Sequence, residues 1–276
     1  MPHLSLHRRP AARIVASVLL AALLLGGCAR LQNFSFRRAP ASGTAAVSTA
    51  PPDMATLRSA VAATPNNAIA QARLADAAET AGLHAEAAAA LVRVVALDGT
   101  TPERMVRLGG LRLRAGERAA AEEAFVSARA QSPRHAPALA GLALAYDLGG
   151  DRARAQDAYR QALAIAPGDW TIRGNQALSL LLAGRSRDAE RALAAAERDA
   201  ATPRRARHNL ALVLAARGEH ARVVRLLRLD MGPGEAEALA LEFRGFADWL
   251  AAAPPGDAGA ALFQPATVAV AAGGGR

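Results

Sequence analysis

Five glycines, Gly82, Gly116, Gly150, Gly184 and Gly218, stand 34 residues apart in this chain of 276 residues. Four equal intervals constrain the fold more than any other feature, because a chain made of one unit length has to stack those units on each other. With each glycine at position fifteen, the lines of 34 begin at Ala68, Pro102, Ala136, Trp170 and Arg204. Position eight then holds Ala75, Gly109, Ala143, Ala177 and Ala211, and position twenty holds Ala87, Ala121, Ala155, Ala189 and Val223. Leu74, Leu108, Leu142, Gln176 and Leu210 occupy position seven; Leu91, Phe125, Tyr159, Leu193 and Leu227 occupy position twenty-four. Position twenty-seven reads Val94, Ala128, Ala162, Ala196 and Asp230, and Pro133 and Pro167 fall at position thirty-two.

Each column has a physical reading. Small residues at eight and twenty let two antiparallel helices approach closely, and the large apolar side chains fill the space beside them. A glycine between the helices takes a left-handed conformation at little steric cost and closes the first helix. Proline near the end of a line stops the second helix. The line from Ala136 to Asp169, with Leu142, Ala143, Tyr146, Gly150, Ala155, Tyr159, Ala162 and Pro167, resembles a tetratricopeptide repeat. The competing reading is another helical array whose abundant alanines align by composition. The scarcer glycines, leucines, aromatics and prolines also fall in register, which favours the repeat. The expected fold is all-α, a right-handed superhelical solenoid of about five tetratricopeptide (helix–turn–helix) repeats with terminal capping helices.

The amino terminus carries a different signal. Arg8, Arg9 and Arg13 precede an uncharged run from Ile14 to Leu25, followed by Gly26-Gly27-Cys28. This is the order of a secretory signal, and its 12-residue apolar run is too short to span a bilayer comfortably. Cys28 is the only cysteine, so it forms no internal disulfide. Leu25-Gly26-Gly27-Cys28 resembles the bacterial lipobox, which implies lipidation of Cys28 and a membrane anchor made of several acyl chains. By the same resemblance, Arg30 in place of an aspartate at the second position after the cysteine points to the outer membrane, facing the periplasm.

The expected organisation follows. Residues 1–27 are a lipoprotein signal peptide, and 28–52 an acylated amino terminus and flexible tether reaching roughly 25 Å. Residues 53–67 form an N-terminal capping helix on Met54, Leu57 and Val61. Five repeats cover 68–101, 102–135, 136–169, 170–203 and 204–230. Val223 and Asp230 depart from their columns, and a buried aspartate without a partner is costly, so the last face is expected to be polar and not covered in the usual way. Leu239, Phe243, Phe246 and Leu250 mark a C-terminal capping helix over 231–251, and the Ala/Gly/Pro-rich 252–276 is expected to be a disordered tail.

Charge and motifs exclude several functions. The formal charge is +9, but without Arg8, Arg9 and Arg13 the mature chain has 30 positive and 24 negative groups, or +6. No lysine is present, and aromatics make up 4%, too few for base-stacking platforms, so no nucleic-acid partner is expected. No nucleophile elbow, His-Glu-x-x-His pair or phosphate loop occurs. His84, His135 and His220 fall at turn positions and are expected to be solvated. Catalytic residues, metal sites, cofactors and small-molecule substrates are therefore expected to be none.

In tetratricopeptide arrays the first helices line a concave groove, and the resemblance implies that positions two, five, six, nine and twelve face a bound peptide. Those positions give the candidates Arg107, Asn175 and Asn209 at six, Arg205 at two, His208 at five, and Leu144, Leu178 and Leu212 at nine. Side-chain amides and guanidinium groups suit a peptide backbone or a carboxylate. Two stretches, Asn175 to Gly184 and Pro203 to Leu214, together with the lipobox, resemble the repeat lipoproteins of tight-adherence (Flp-type) pilus assembly, the TadD family. The likeness spans about residues 100–230 plus the signal. It implies a protein partner, a secretin or another pilus-assembly component, and a pilotin-like role at the outer membrane. The alternative is a general periplasmic scaffold lipoprotein that recruits envelope-biogenesis or peptidoglycan enzymes.

Overall fold

Twelve α-helices account for the regular structure among the described residues, and no strand occurs among them. The structure, a computed structural model, describes residues 53–199 and 201–252. The expected signal peptide, the lipidated Cys28, the tether and all but the first residue of the tail lie outside the described residues. The helices are α1 (Met54–Ala63), α2 (Ala68–Thr80), α3 (His84–Asp98), α4 (Pro102–Arg114), α5 (Arg118–Gln131) and α6 (Ala136–Leu148). They continue as α7 (Arg152–Ile165), α8 (Trp170–Leu182), α9 (Ser186–Leu193), α10 (Arg204–Ala216), α11 (His220–Leu227) and α12 (Pro233–Ala252), with a 3₁₀ turn at Ala194–Glu197 after α9.

Helix starts are set by position thirty-four, the residue before each line. Asn67 accepts hydrogen bonds from the amides of Ile69 and Ala70 at 3.0 and 3.1 Å, and Thr101 from that of Arg104 at 3.2 Å. Asp169 does the same for Thr171 and Ile172, at 2.8 and 3.1 Å. His135 occupies this place before α6, and its Nδ1 accepts from the Ala138 amide at 3.3 Å. All four satisfy amides that the helix cannot pair internally. Pro203 holds the column before α10 and offers no side-chain acceptor.

The stride glycines end the first helices. All five have φ between 73° and 83°. At Gly116 the closure is the two-bond helix stop: Gly116 N–H donates to Leu113 O at 3.0 Å, and Glu117 N–H to Arg112 O at 2.8 Å. A side chain added at any of the five would meet nothing within 4 Å, so conformation and not space requires glycine there. Gly109 and Gly141 are the reverse case. Their φ is ordinary, but a Cβ on either would run into the ring of Phe125, itself 1% exposed.

The chain divides into two compact units, whose described parts are 53–146 with 157–167, and 147–156 with 168–199 and 201–252. In the N-terminal unit the core is made of Leu74, Leu91, Leu108, Leu111, Phe125 and Leu142, closed by the small columns Ala75, Ala87 and Ala121. In the C-terminal unit one hydrophobic cluster joins Leu178, Leu193, Leu210, Leu212, Val223 and Leu227 to Phe243 and Phe246 of α12. Helix α12 buries Ala236 and Ala240 along the same face, so the fifth repeat is covered by an apolar surface.

That corrects the expectation of a polar last face: the C-terminal helix covers it through apolar side chains. Val223 is fully buried, and the Asp230 side chain is only 6% exposed. Its burial is tolerated because Arg207 grips both carboxylate oxygens, with Nε donating to Oδ2 at 2.9 Å and Nη2 to Oδ1. Solvated histidines were also too simple an expectation. His84 is half-buried with its Nδ1 unpaired, His135 caps a helix, and His220 pairs with Glu237 at 2.8 Å.

Candidate functional site

Helices α8 and α10 of the C-terminal unit carry the candidates that the structure groups most closely. Asn175 and Asn209 occupy the same place on these helices, one stride apart, and are 6% and 1% exposed. The side-chain carbonyl of each is buried without a hydrogen-bond partner. Gly174 makes room for Asn209: a Cβ on it would lie well inside van der Waals contact of the Asn209 amide nitrogen. An alanine at 174 would push that amide away. A buried polar group without a partner costs about 1–3 kcal/mol, so two in equivalent places are an unusual expense for a purely structural helix pair.

His208 and Arg205 belong to the first turns of α10. The His208 side chain is 16% exposed, and its Nε2 lies 3.4 Å from Arg204 Nε and 3.6 Å from Asp230 Oδ2. Burial pushes the imidazole below its ordinary value, and the Arg204 guanidinium adds to this. Arg207, beside it, holds the Asp230 carboxyl below the usual carboxylate range. Arg205 is half-buried.

Four of the candidates stand differently from expectation. Leu144, Leu178 and Leu212 are each 1% exposed or less, and the last two belong to the hydrophobic cluster of their unit. None of the three presents an open apolar surface, and for Leu178 and Leu212 α12 and the second helices complete an apolar shell around that cluster. Arg107, in the N-terminal unit, is tied to its own chain. It contacts Asp76 at 2.6 Å and Glu79 at 2.9 Å, and Glu79 also takes Arg114. Carboxylates at positions nine and twelve of the first repeat thus neutralise the arginine at position six of the second. The signal was in the sequence: Asp76 stands in a column that otherwise holds glycine and leucine, and Glu79 in one that is apolar except for Asp147.

No catalytic arrangement appears among the described residues. Ser179 Oγ donates to Asp147 Oδ1 at 2.7 Å, Gln156 Nε2 donates to Ser179 Oγ at 2.7 Å, and Arg152 donates to the same aspartate oxygen at 2.9 Å. With Ser179 1% exposed and no imidazole in this set of bonds, it ties Asp147, Arg152 and Gln156 to α8 within the C-terminal unit and does not make a nucleophile. No group of three His, Cys, Asp or Glu able to hold a metal occurs among the described residues, and no described helix is long and apolar enough to cross a membrane.

No family model and no curated protein matches this chain. Solved structures do. A tetratricopeptide repeat protein from Parabacteroides merdae matches over 68% of this chain and 76% of its own, at 14% identity and a TM-score of 0.57. A thermophilic tetratricopeptide protein of Thermus thermophilus matches over 63% of this chain and 99% of its own, at 20% identity and a TM-score of 0.54. The Cut9–Hcn1 hetero-tetramer of the APC/C matches over 68% of this chain and 39% of its own, at 16% identity and 0.51. At these identities the likeness establishes the fold, a tetratricopeptide-repeat array, and nothing beyond it.

Proposed function

We propose that this tetratricopeptide-repeat protein is a non-catalytic adaptor that binds a peptide segment of a protein partner along α8 and α10. The observation that carries this reading is the pair Asn175 and Asn209, equivalent in register, buried, and each with an unpaired carbonyl. A peptide backbone offers both N–H and C=O, and so matches a side-chain amide turned either way. Acylation at Cys28 would hold the adaptor to the outer membrane on its periplasmic side and raise the effective concentration of a membrane partner. The narrower resemblance of Asn175 to Gly184 and Pro203 to Leu214 makes the secretin of a tight-adherence pilus the preferred partner, with the adaptor acting as its pilotin.

A photoreactive residue at 175 or 209, activated in intact cell envelopes, tests both levels. The adaptor reading expects a crosslinked protein from each position, and no adduct from either would overturn it. The pilotin reading expects that protein to be the secretin, and expects a deletion strain to lack secretin multimers and surface pili. Crosslinks to a peptidoglycan enzyme, with normal secretin multimers in the deletion strain, would replace it with the general scaffold.

A further inference from the structure

One nitrogen at the start of α10 has two rival partners. His208 Nε2 accepts a hydrogen bond from Arg204 Nε at 3.4 Å, and the same atom lies 3.6 Å from Asp230 Oδ2. A ring nitrogen carries either a lone pair or a proton, never both. With the lone pair it can accept from Arg204 and has nothing to give Asp230. With a proton it can donate to Asp230, and then it faces an arginine that offers only N–H groups.

The surroundings decide which partner must yield. Asp230 is 6% exposed and held on both oxygens by Arg207, whose side chain is 12% exposed and also donates to the Thr202 carbonyl. Neither can move without leaving a charge buried. Arg204 is the first residue of α10 and is exposed, so its guanidinium can swing into water at little cost. The charged groups facing His208 are Arg204 and Arg207 on its own helix and Asp230 from the chain following α11.

We propose that His208 is a proton-operated latch, holding Arg204 through Nε2 when neutral and releasing it to bond Asp230 when protonated. The proton comes from solvent, and no covalent bond changes. Burial and Arg204 keep the imidazole below its ordinary value, so the latch is closed at neutral pH and opens on acidification. Opening adds a charge on the His208 imidazolium, next in sequence to the buried Asn209, and frees a second on Arg204. The latch is a property of the folded chain alone and stands whether or not α8 and α10 bind a peptide.

The test is a pH titration of the full chain by nitrogen-15 NMR, following the His208 ring nitrogens and the Arg204 Nε–H together. The expected result is the Nδ1–H tautomer at pH 7.5, and one midpoint below about 6.5 shared by both residues. Arg204→Ala should raise the His208 midpoint, since it removes a neighbouring positive charge. His208→Gln should leave the Arg204 signal independent of pH. An Arg204 signal that ignores the His208 titration, or a midpoint unmoved in Arg204→Ala, would overturn the latch. No partner is present in this assay, so failure of the peptide reading would not affect it.

Discussion

Gly109 and Gly141 make room for one aromatic ring, and this predicts a compensating pair of substitutions. A Cβ at Gly109 would stand 2.6 Å from both Cε1 and Cζ of Phe125, against an ordinary contact beginning near 3.4 Å. The ring would have to withdraw by about 0.8 Å (3.4 less 2.6), and its same edge already closes on Gly141. Overpacking of this kind costs about 1–3 kcal/mol, from which the better helix propensity of alanine recovers about 1 kcal/mol. Gly109→Ala alone should therefore destabilise by about 0–2 kcal/mol. Phe125→Leu alone should lose about 1–2 kcal/mol through lost apolar contact and a residual cavity. The first repeat already contains the combined solution, Ala75 with Leu91 at the same two positions. The double variant Gly109→Ala/Phe125→Leu should thus lie within about 1 kcal/mol of the parent, a favourable coupling of about 1–3 kcal/mol. Urea unfolding of the four proteins, compared at equal m-values, measures it. Effects that simply add, to within about 0.5 kcal/mol, would refute the reasoning.

Three further outcomes are expected. Glu79→Ala strips the buried Arg114 of its carboxylate partner and should destabilise by about 3 kcal/mol, while Glu79→Met/Arg114→Met should recover most of that; urea midpoints decide. Asp169→Ala removes the cap of α8 and should cost about 1 kcal/mol, read as a lowered thermal midpoint; an unchanged midpoint would count against the capping role. Arg207 depresses the Asp230 carboxyl, so its stabilising contribution is complete above the unfolded value near 3.9 and is lost as pH falls through the lower folded value. The stability gap between the parent and Asp230→Asn should then narrow below about pH 4, and a gap constant across that range would contradict the ion pair's role.

The sequence made the repeat legible because its columns record local demands. A positive φ at Gly116 or a fixed small contact at Ala121 has to recur wherever the hairpin recurs. Column thirty-four, with Asn67, Thr101 and Asp169, shows itself as a set of helix caps only in the structure. Exceptions to the columns were harder, since each depends on a residue in another line. Gly109 and Gly141 become intelligible only once Phe125 is placed between them, and Asp230 only once Arg207 reaches it. Arg107 looked like a groove contact because periodicity assigns a face without saying which charges on that face pair with each other. The register of Asn175 and Asn209 could be read in advance; their near-complete burial and unpaired carbonyls could not, because these depend on how closely the neighbouring helices pack.

The corners at Gly82, Gly116, Gly150, Gly184 and Gly218 share a positive φ of 73–83° and recur at one interval. Splicing the chain from one corner to the next would excise or duplicate a whole period and join matching ends, so the length of such a protein is adjustable in single modules. The limit lies in side chains that interlock across a junction. A module carrying Phe125 can be transplanted only with Gly109 inside it and a glycine equivalent to Gly141 in the module that follows.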